Sequence, residues 1–386
     1  MRRLRFPFLI IVAASISVAA YSVFARIRPG DDGAYHVHEG QSIQAVLDVA
    51  AANPDVKRVL VHEGVYRPEE TRQALIWLNA KHNGIVLEAV GEVVLTAKNP
   101  RVGSESEEGF PAAVNHVVYF GDGIGPETTL RGFKITGANN FVTLVDHPEP
   151  IQPPTFARGM EKELFFYCDG GGIKIYGRSY PTIENVEIFD CYSSPCGAGV
   201  SIEHRGDYAH QNVKLINCIF RGNRVPATGS AVDLLWGSRA EITNCLFLEN
   251  LSNEPMDQRA LSMGYWKPEN GAGALTILPD SKAIVRRCTF VGNRNGVDDS
   301  SSGSIYQDSI FWKNNATGGW PTGSRYELDV TETTIVQGCM INGDAADLQG
   351  HVDPENNVLD CPDPKFDDRF RPTSDGFDKV GYRPAS

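Results

Sequence analysis

Apolar positions in this chain recur in a short, self-similar block. It reads NCIFRGN at Asn217–Asn223, NCLFLEN at Asn244–Asn250 and RCTFVGN at Arg287–Asn293. Degenerate copies follow the same pattern: GFKITGA at Gly132–Ala138, NVEIFDC at Asn185–Cys191, DSIFWKN at Asp308–Asn314 and GCMINGD at Gly338–Asp344. Aligned, they give one column of Phe133, Val186, Cys218, Cys245, Cys288, Ser309 and Cys339. Two residues on, a second column runs Ile135, Ile188, Phe220, Phe247, Phe290, Phe311 and Ile341. Side chains two apart on a strand share a face, so the spacing predicts short strands with that face turned inward. Successive copies lie 53, 32, 27, 43, 21 and 30 residues apart. That spread excludes a rigid module of fixed length and fits coils whose turns carry loops of any size.

Ahead of most of these blocks stands a second apolar strand opened by glycine: GGGIKIYG from Gly170, GAGVSIEH from Gly197, GSAVDLLW from Gly229, GAGALTIL from Gly271, and RYELDV from Arg325. At least two short strands per coil, stacked in register, make a parallel solenoidal sheet. Upstream, Ser42 is placed to cap a helix over SIQAVLDVAAANP, with Ile43, Val46, Leu47 and Ala50 on one face. It reads as a lid on the first coil, and VKRVLVHEGVYRP, IVLEAV and VVLTA read as the first coils themselves.

With the SIQAVLDVA cap, the VLVHEGVY strand and the repeated N-C-x-F-x-x-N rung, the chain resembles the right-handed parallel β-helix proteins of the pectate-lyase-like superfamily. The resemblance spans Ala34 to Asp344. It implies an all-β, right-handed parallel β-helix with an N-terminal capping helix and long loops on one side. Residues 345–386, with DPKFDDRFRPTSDGF, then read as a tail capping the last coils. The superfamily hosts lyases, hydrolases, epimerases, phage tailspikes and adhesins, so the fold alone does not name a reaction.

Composition narrows the partners. The 386 residues hold 36 Lys and Arg against 48 Asp and Glu, a formal charge of −12. Residues 1–25 read as a signal peptide: MRRLR is the basic start, Phe8 to Ala20 the apolar stretch and Val23-Phe24-Ala25 the exit. Removing it takes away Arg2, Arg3 and Arg5, leaving 33 bases against 48 acids, or −15. Nucleic acid is thereby excluded as a partner, since basic charge is what displaces counterions from phosphates. The expected location is secreted, periplasmic or cell-surface. The alternative is an uncleaved N-terminal anchor, with no other membrane contact.

Eight cysteines all fall in the exported part. Those of the rung read as small inward hydrophobes, and a disulfide among Cys168, Cys191 and Cys196 is chemically open. Asn223, Asn250, Asn293 and Asn314, ending successive rungs, read as a turn ladder.

The outward positions of the glycine-led strand carry the candidate chemistry. With Ile173, Val200, Val232, Leu275 and Tyr326 taken as inward, the next residues Lys174, Ser201, Asp233, Thr276 and Glu327 face out, and GVDD adds Val297 in and Asp298 out. Asp233, Asp298 and Glu327 are candidates for paired-carboxylate glycoside hydrolysis. Asp298 and Glu327 would be about 5 Å apart and Asp233 and Asp298 about 10 Å. Asp298, Asp299 and Asp329 are candidates for a Ca²⁺ site. The resemblance to uronic-acid lyases and epimerases implies a base such as Lys174 or His204. Tyr176, Glu203, Arg205, Tyr265, Trp266 and Trp320 are the candidate substrate contacts, the aromatic ones as stacking surfaces for sugar rings. The Asn-Thr-Asp, Gly-His-Gly and Arg-x-Lys elements that accompany paired aspartates in polygalacturonase-type hydrolases are absent. The expected function is a secreted carbohydrate-active protein that acts on or binds a polysaccharide or glycoconjugate. The alternative is a non-catalytic carbohydrate-binding or adhesin-like protein.

Overall fold

The computed structural model describes residues 27–106, 109–139, 169–204, 211–235, 237–253, 272–314, 325–343, 348–350 and 352–384. One coil is typified by strands Val200–Glu203, Val213–Ile216 and Ile219–Arg221, after which Val232–Leu235 opens the next. All pairings between strands of successive coils are parallel, as in Val200↔Val232 and Phe220↔Phe247. Among the described residues the first strand of each coil builds a nine-stranded sheet, and the other two share a seventeen-stranded one.

What the sequence presents as one rung is two strands hinged at a single residue. Asn185, Asn217 and Asn244 each take φ of 54° at that corner. Asparagine tolerates this left-handed conformation better than other side chains with a Cβ, because its short amide bonds locally. Here the amides also bond one another: Asn244 donates to Asn217 at 2.7 Å and Asn217 to Asn185 at 3.1 Å.

Both predicted inward columns are buried. Phe220, Phe247, Phe290 and Phe311 stack through the centre with ring centroids 5.0, 4.2 and 4.9 Å apart. Cysteine suits the neighbouring column for a polar reason as well as for its size. The Cys218 N–H donates to the Cys245 thiol and the Cys245 N–H to the Cys288 thiol, both at 3.4 Å, while Cys288 N–H uses Ser309 Oγ. The second ladder, Asn223–Asn250–Asn293–Asn314, lies inside the coil. Each amide nitrogen donates to the next coil's side-chain oxygen, at 3.0, 3.0 and 2.7 Å, and to a backbone carbonyl of the previous coil. Buried amides with all partners supplied add no desolvation penalty and fix the register of the stack.

The capping helix spans Ile43–Ala52 with Ser42 as its N-cap, and it buries Ile43, Val46, Leu47 and Ala50 as its periodicity requires. At the far end Asn357 accepts the Cys339 N–H, extending the rung pattern by one partial coil. The chain then runs back outside the coils. Phe377 and Val380 pack with Ile310 and Trp312, and Gly381, Tyr382 and Arg383 bond to Asp308, Thr289 and Asn244 in turn.

The leading glycines have a specific task. Gly170, Gly197 and Gly229 take φ of 80°, 63° and 62°. The turn folds back over the residue four positions on, so that a Cβ at Gly197 would lie 2.6 Å from Ser201 Cβ and one at Gly229 2.5 Å from Asp233 Cβ. No L side chain fits there without displacing the strand. The same turns bury the start of the outward face.

One strand departs from the predicted register. Leu328, and not Tyr326, pairs with Val297, and Asp329, and not Glu327, pairs with Asp298. A slip of two preserves inside–outside alternation, so the hydrophobic pattern cannot detect it. Glu327 leaves the proposed column for a structural place at the end of the inner ladder. Its carboxylate accepts the Asn314 side chain at 2.6 Å and the Asn314 N–H at 3.0 Å.

Candidate functional site

The outward face of the nine-stranded sheet carries one continuous file, coil by coil: Trp77, Tyr119, Lys174, Ser201, Asp233, Thr276, Asp298 and Asp329. Its first third is aromatic, with Trp77 and Tyr119 stacked at 3.8 Å and Tyr176 packed beside them. The middle is a buried ion cluster. Lys174 Nζ donates to Asp169 at 2.7 Å, Glu203 at 3.1 Å and Ser201 Oγ at 3.3 Å, and Ser201 donates to Asp169 at 2.6 Å. Burial opposes the ammonium charge, but the Asp169 and Glu203 carboxylates outweigh it and hold the Lys174 pKa well above its ordinary value. A lysine so held is a permanent cation, which removes it as a proton-abstracting base. Glu203, expected to contact substrate, is spent on the same cluster and fully buried.

The last third is acidic. Asp233 is fully buried beneath its turn and hydrogen-bonded by Thr228 at 3.0 Å, with the Cys196 thiol close by. Burial pushes its carboxyl up to about 7, against the pull of the neighbouring Cys196 thiol and the Thr228 hydroxyl. Asp298 is raised to about 7 as well, by burial first and then by the charges of Asp329, Asp233 and Asp299. Asp329 is raised, again mainly by burial. Asp298 and Asp329 are both partly accessible and one coil apart, about 5 Å, whereas Asp233 lies two coils, about 10 Å, from Asp298.

A family model described as a right handed beta helix region matches residues 160–335. The fold is a right-handed parallel β-helix. No curated protein and no solved structure matches it.

Other expected site residues of the β-helix fall elsewhere. Asp299 points inward, in file with Ile277 and Val330, where it accepts Tyr306 OH at 2.8 Å and Ser301 Oγ at 2.5 Å. Adjacent strand residues face opposite sides, so Asp299 cannot join Asp298 and Asp329 around one cation. Among the described residues no group of three or more His, Cys, Asp or Glu is arranged to hold a metal ion.

His204 is buried with both ring nitrogens engaged: Nε2 donates to the Ser179 carbonyl at 2.9 Å and Nδ1 accepts the Arg239 N–H at 3.3 Å. Burial lowers its pKa to about 4, so it is a neutral structural ring and not a base open to substrate. Cys191, Cys196 and Cys361 are free thiols. Arg205, Tyr265, Trp266, Trp320 and Cys168, like the signal segment, lie outside the described residues. Among the described residues no helix is long and apolar enough to cross a membrane.

Sequence reading missed Asp169, Cys196 and Thr228, which reach the file from the turns preceding the strands. It also missed Trp77 and Tyr119. The alternation in RQALIWL and VNHVVYF is the signal that could have placed those two on the same face.

Proposed function

We propose that this β-helix protein acts on a polysaccharide laid along the outward file of the nine-stranded sheet, with Asp298 and Asp329 as the working pair. The observation that carries the reading is the Asp298 carboxyl. It is held near 7 on a partly open face, has no ion-pair partner among the described residues, and stands one coil from a second raised carboxyl. At neutral pH such a group keeps a proton it can give to a leaving glycosidic oxygen, while its neighbour acts as nucleophile. A separation of about 5 Å is that of retaining glycoside hydrolysis. Asp233, the more distant partner, is fully buried, which argues against the inverting pairing. Elimination at a uronate is the weaker reading, because Lys174 is locked as a cation and His204 has no free ring nitrogen.

The test is turnover of neutral and uronic-acid polysaccharides by the full chain, Asp298→Asn and Asp329→Asn. Hydrolysis is read as reducing ends and elimination as absorbance of unsaturated products. Reducing-end release that falls about 10²- to 10⁴-fold in either variant is expected. Unsaturated products, or undiminished activity in both variants, overturn the assignment. Saccharide binding that requires Ca²⁺ and yields no product would return the protein to the non-catalytic class.

A further inference from the structure

A second constellation lies at the other end of the solenoid, on the first two coils. The strand Tyr35–Val37 buries Tyr35 and Val37, so His36 and His38, two apart, share its outward face. Val37 pairs with Val61, which carries His38 over His62 of the following coil, and the two rings stack at 4.3 Å. His36 Nδ1 approaches His62 Nε2 to 2.8 Å. The far nitrogen of His36, Nε2, lies 3.1 Å from Asp32 Oδ1.

A carboxylate only accepts, so Asp32 fixes the His36 proton on Nε2 and leaves an Nδ1 lone pair aimed at His62. The loop holding Asp32 is itself tied down. Gly30 N–H donates to the Ala34 carbonyl at 2.7 Å, and Ala34 N–H to Asp32 Oδ1 at 3.2 Å. A Cβ on Gly30 would stand 3.0 Å from Asp32 Oδ1 and 3.2 Å from His36 Nε2, so a larger residue there would press on both partners of this contact.

We infer that His36 Nδ1 and His62 Nε2 form a two-histidine site for a borderline divalent cation such as Zn²⁺ or Ni²⁺, with Asp32 orienting His36 from behind and water completing the coordination. Imidazole nitrogens suit these ions, and hard Ca²⁺ and Mg²⁺ prefer oxygen. With metal–nitrogen bonds of about 2.0–2.1 Å in tetrahedral geometry, the two nitrogens need to stand about 3.3 Å apart, a movement of roughly half an ångström from their present contact. Binding moves the His62 proton from Nε2 to Nδ1, so a neutral ring supplies the lone pair without net proton release. A carboxylate behind a ligating histidine is the arrangement that raises its basicity and fixes its ring.

Titration of the full chain with ZnCl₂ and NiCl₂ by calorimetry, with thermal unfolding followed in parallel, tests this. One ion per chain is expected, not displaced by CaCl₂ or MgCl₂. Binding should be lost in His36→Ala and His62→Ala, and weakened about 10- to 100-fold in Asp32→Asn. Asp32 lies outside the core, so that variant reports on the site even if a histidine variant is poorly folded. Absence of saturable Zn²⁺ and Ni²⁺ binding, or unchanged binding in both histidine variants, overturns the inference.

Discussion

Replacing Asp298 by Asn should make the protein more stable, by an amount that grows with pH. In the unfolded chain the carboxyl loses its proton near the ordinary 3.8, whereas on the folded sheet face it keeps it to about 7. Between those values the folded state binds the extra proton, so stability falls as pH rises through this window and levels off above it. At about 1.36 kcal/mol per pH unit, the full interval costs up to about 4 kcal/mol above pH 7 and about 1–2 kcal/mol at pH 5. Local relaxation and water near this partly open position bring the working range above pH 7 to about 2–4 kcal/mol. Asparagine keeps the shape of the side chain and never ionises, so the cost disappears. Asp329 and Asp233 also lose a like charge on the same file. Chemical denaturation of parent and variant at pH 5, 6.5 and 8, followed by circular dichroism, gives the comparison. Stability curves that run parallel across the three pH values, or a variant less stable than the parent at pH 8, would refute the reasoning. The carboxyl would then be an ordinary solvated acid.

Phe247→Ala removes a ring that stacks between Phe220 and Phe290 and should destabilise by about 3–5 kcal/mol, seen as a lower denaturation midpoint. A near-neutral shift would mean that the column does not carry the core. Lys174→Met strands Asp169 and Glu203 in a buried site and should cost about 3–5 kcal/mol at pH 7. The loss should shrink in acid, where the stranded carboxylates take up protons. Glu327→Gln turns an amide donor towards one of the two Asn314 donors and should cost about 1–3 kcal/mol. Saccharide turnover per folded molecule should not change, because the side chain closes the ladder and does not belong to the outward file.

The sequence by itself determined the solenoid. Period-two apolar columns repeated seven times require an inward strand face, the asparagines mark corners and ladders, and Ser42 with Ile43, Val46, Leu47 and Ala50 specifies the lid. These are local signals: each follows from side-chain alternation, capping or backbone tolerance within a few residues. It also placed Asp298 outward and Val297 inward, for the same reason.

Only the tertiary structure decided what those outward positions do. Register between coils is a long-range property, and a slip of two leaves the alternation intact. For that reason Glu327 read like a member of the acid column, while the stacked strands put Asp329 there and spent Glu327 on Asn314. Burial is likewise invisible along the chain. Lys174 and His204 read as available bases until the turn at Gly170, the Asp169 and Glu203 carboxylates and the Ser179 carbonyl closed around them. The Asp298–Asp329 pair and the His36–His62 contact depend on the same fact: coils stacked about 5 Å apart bring together residues 31 and 26 positions apart in the chain.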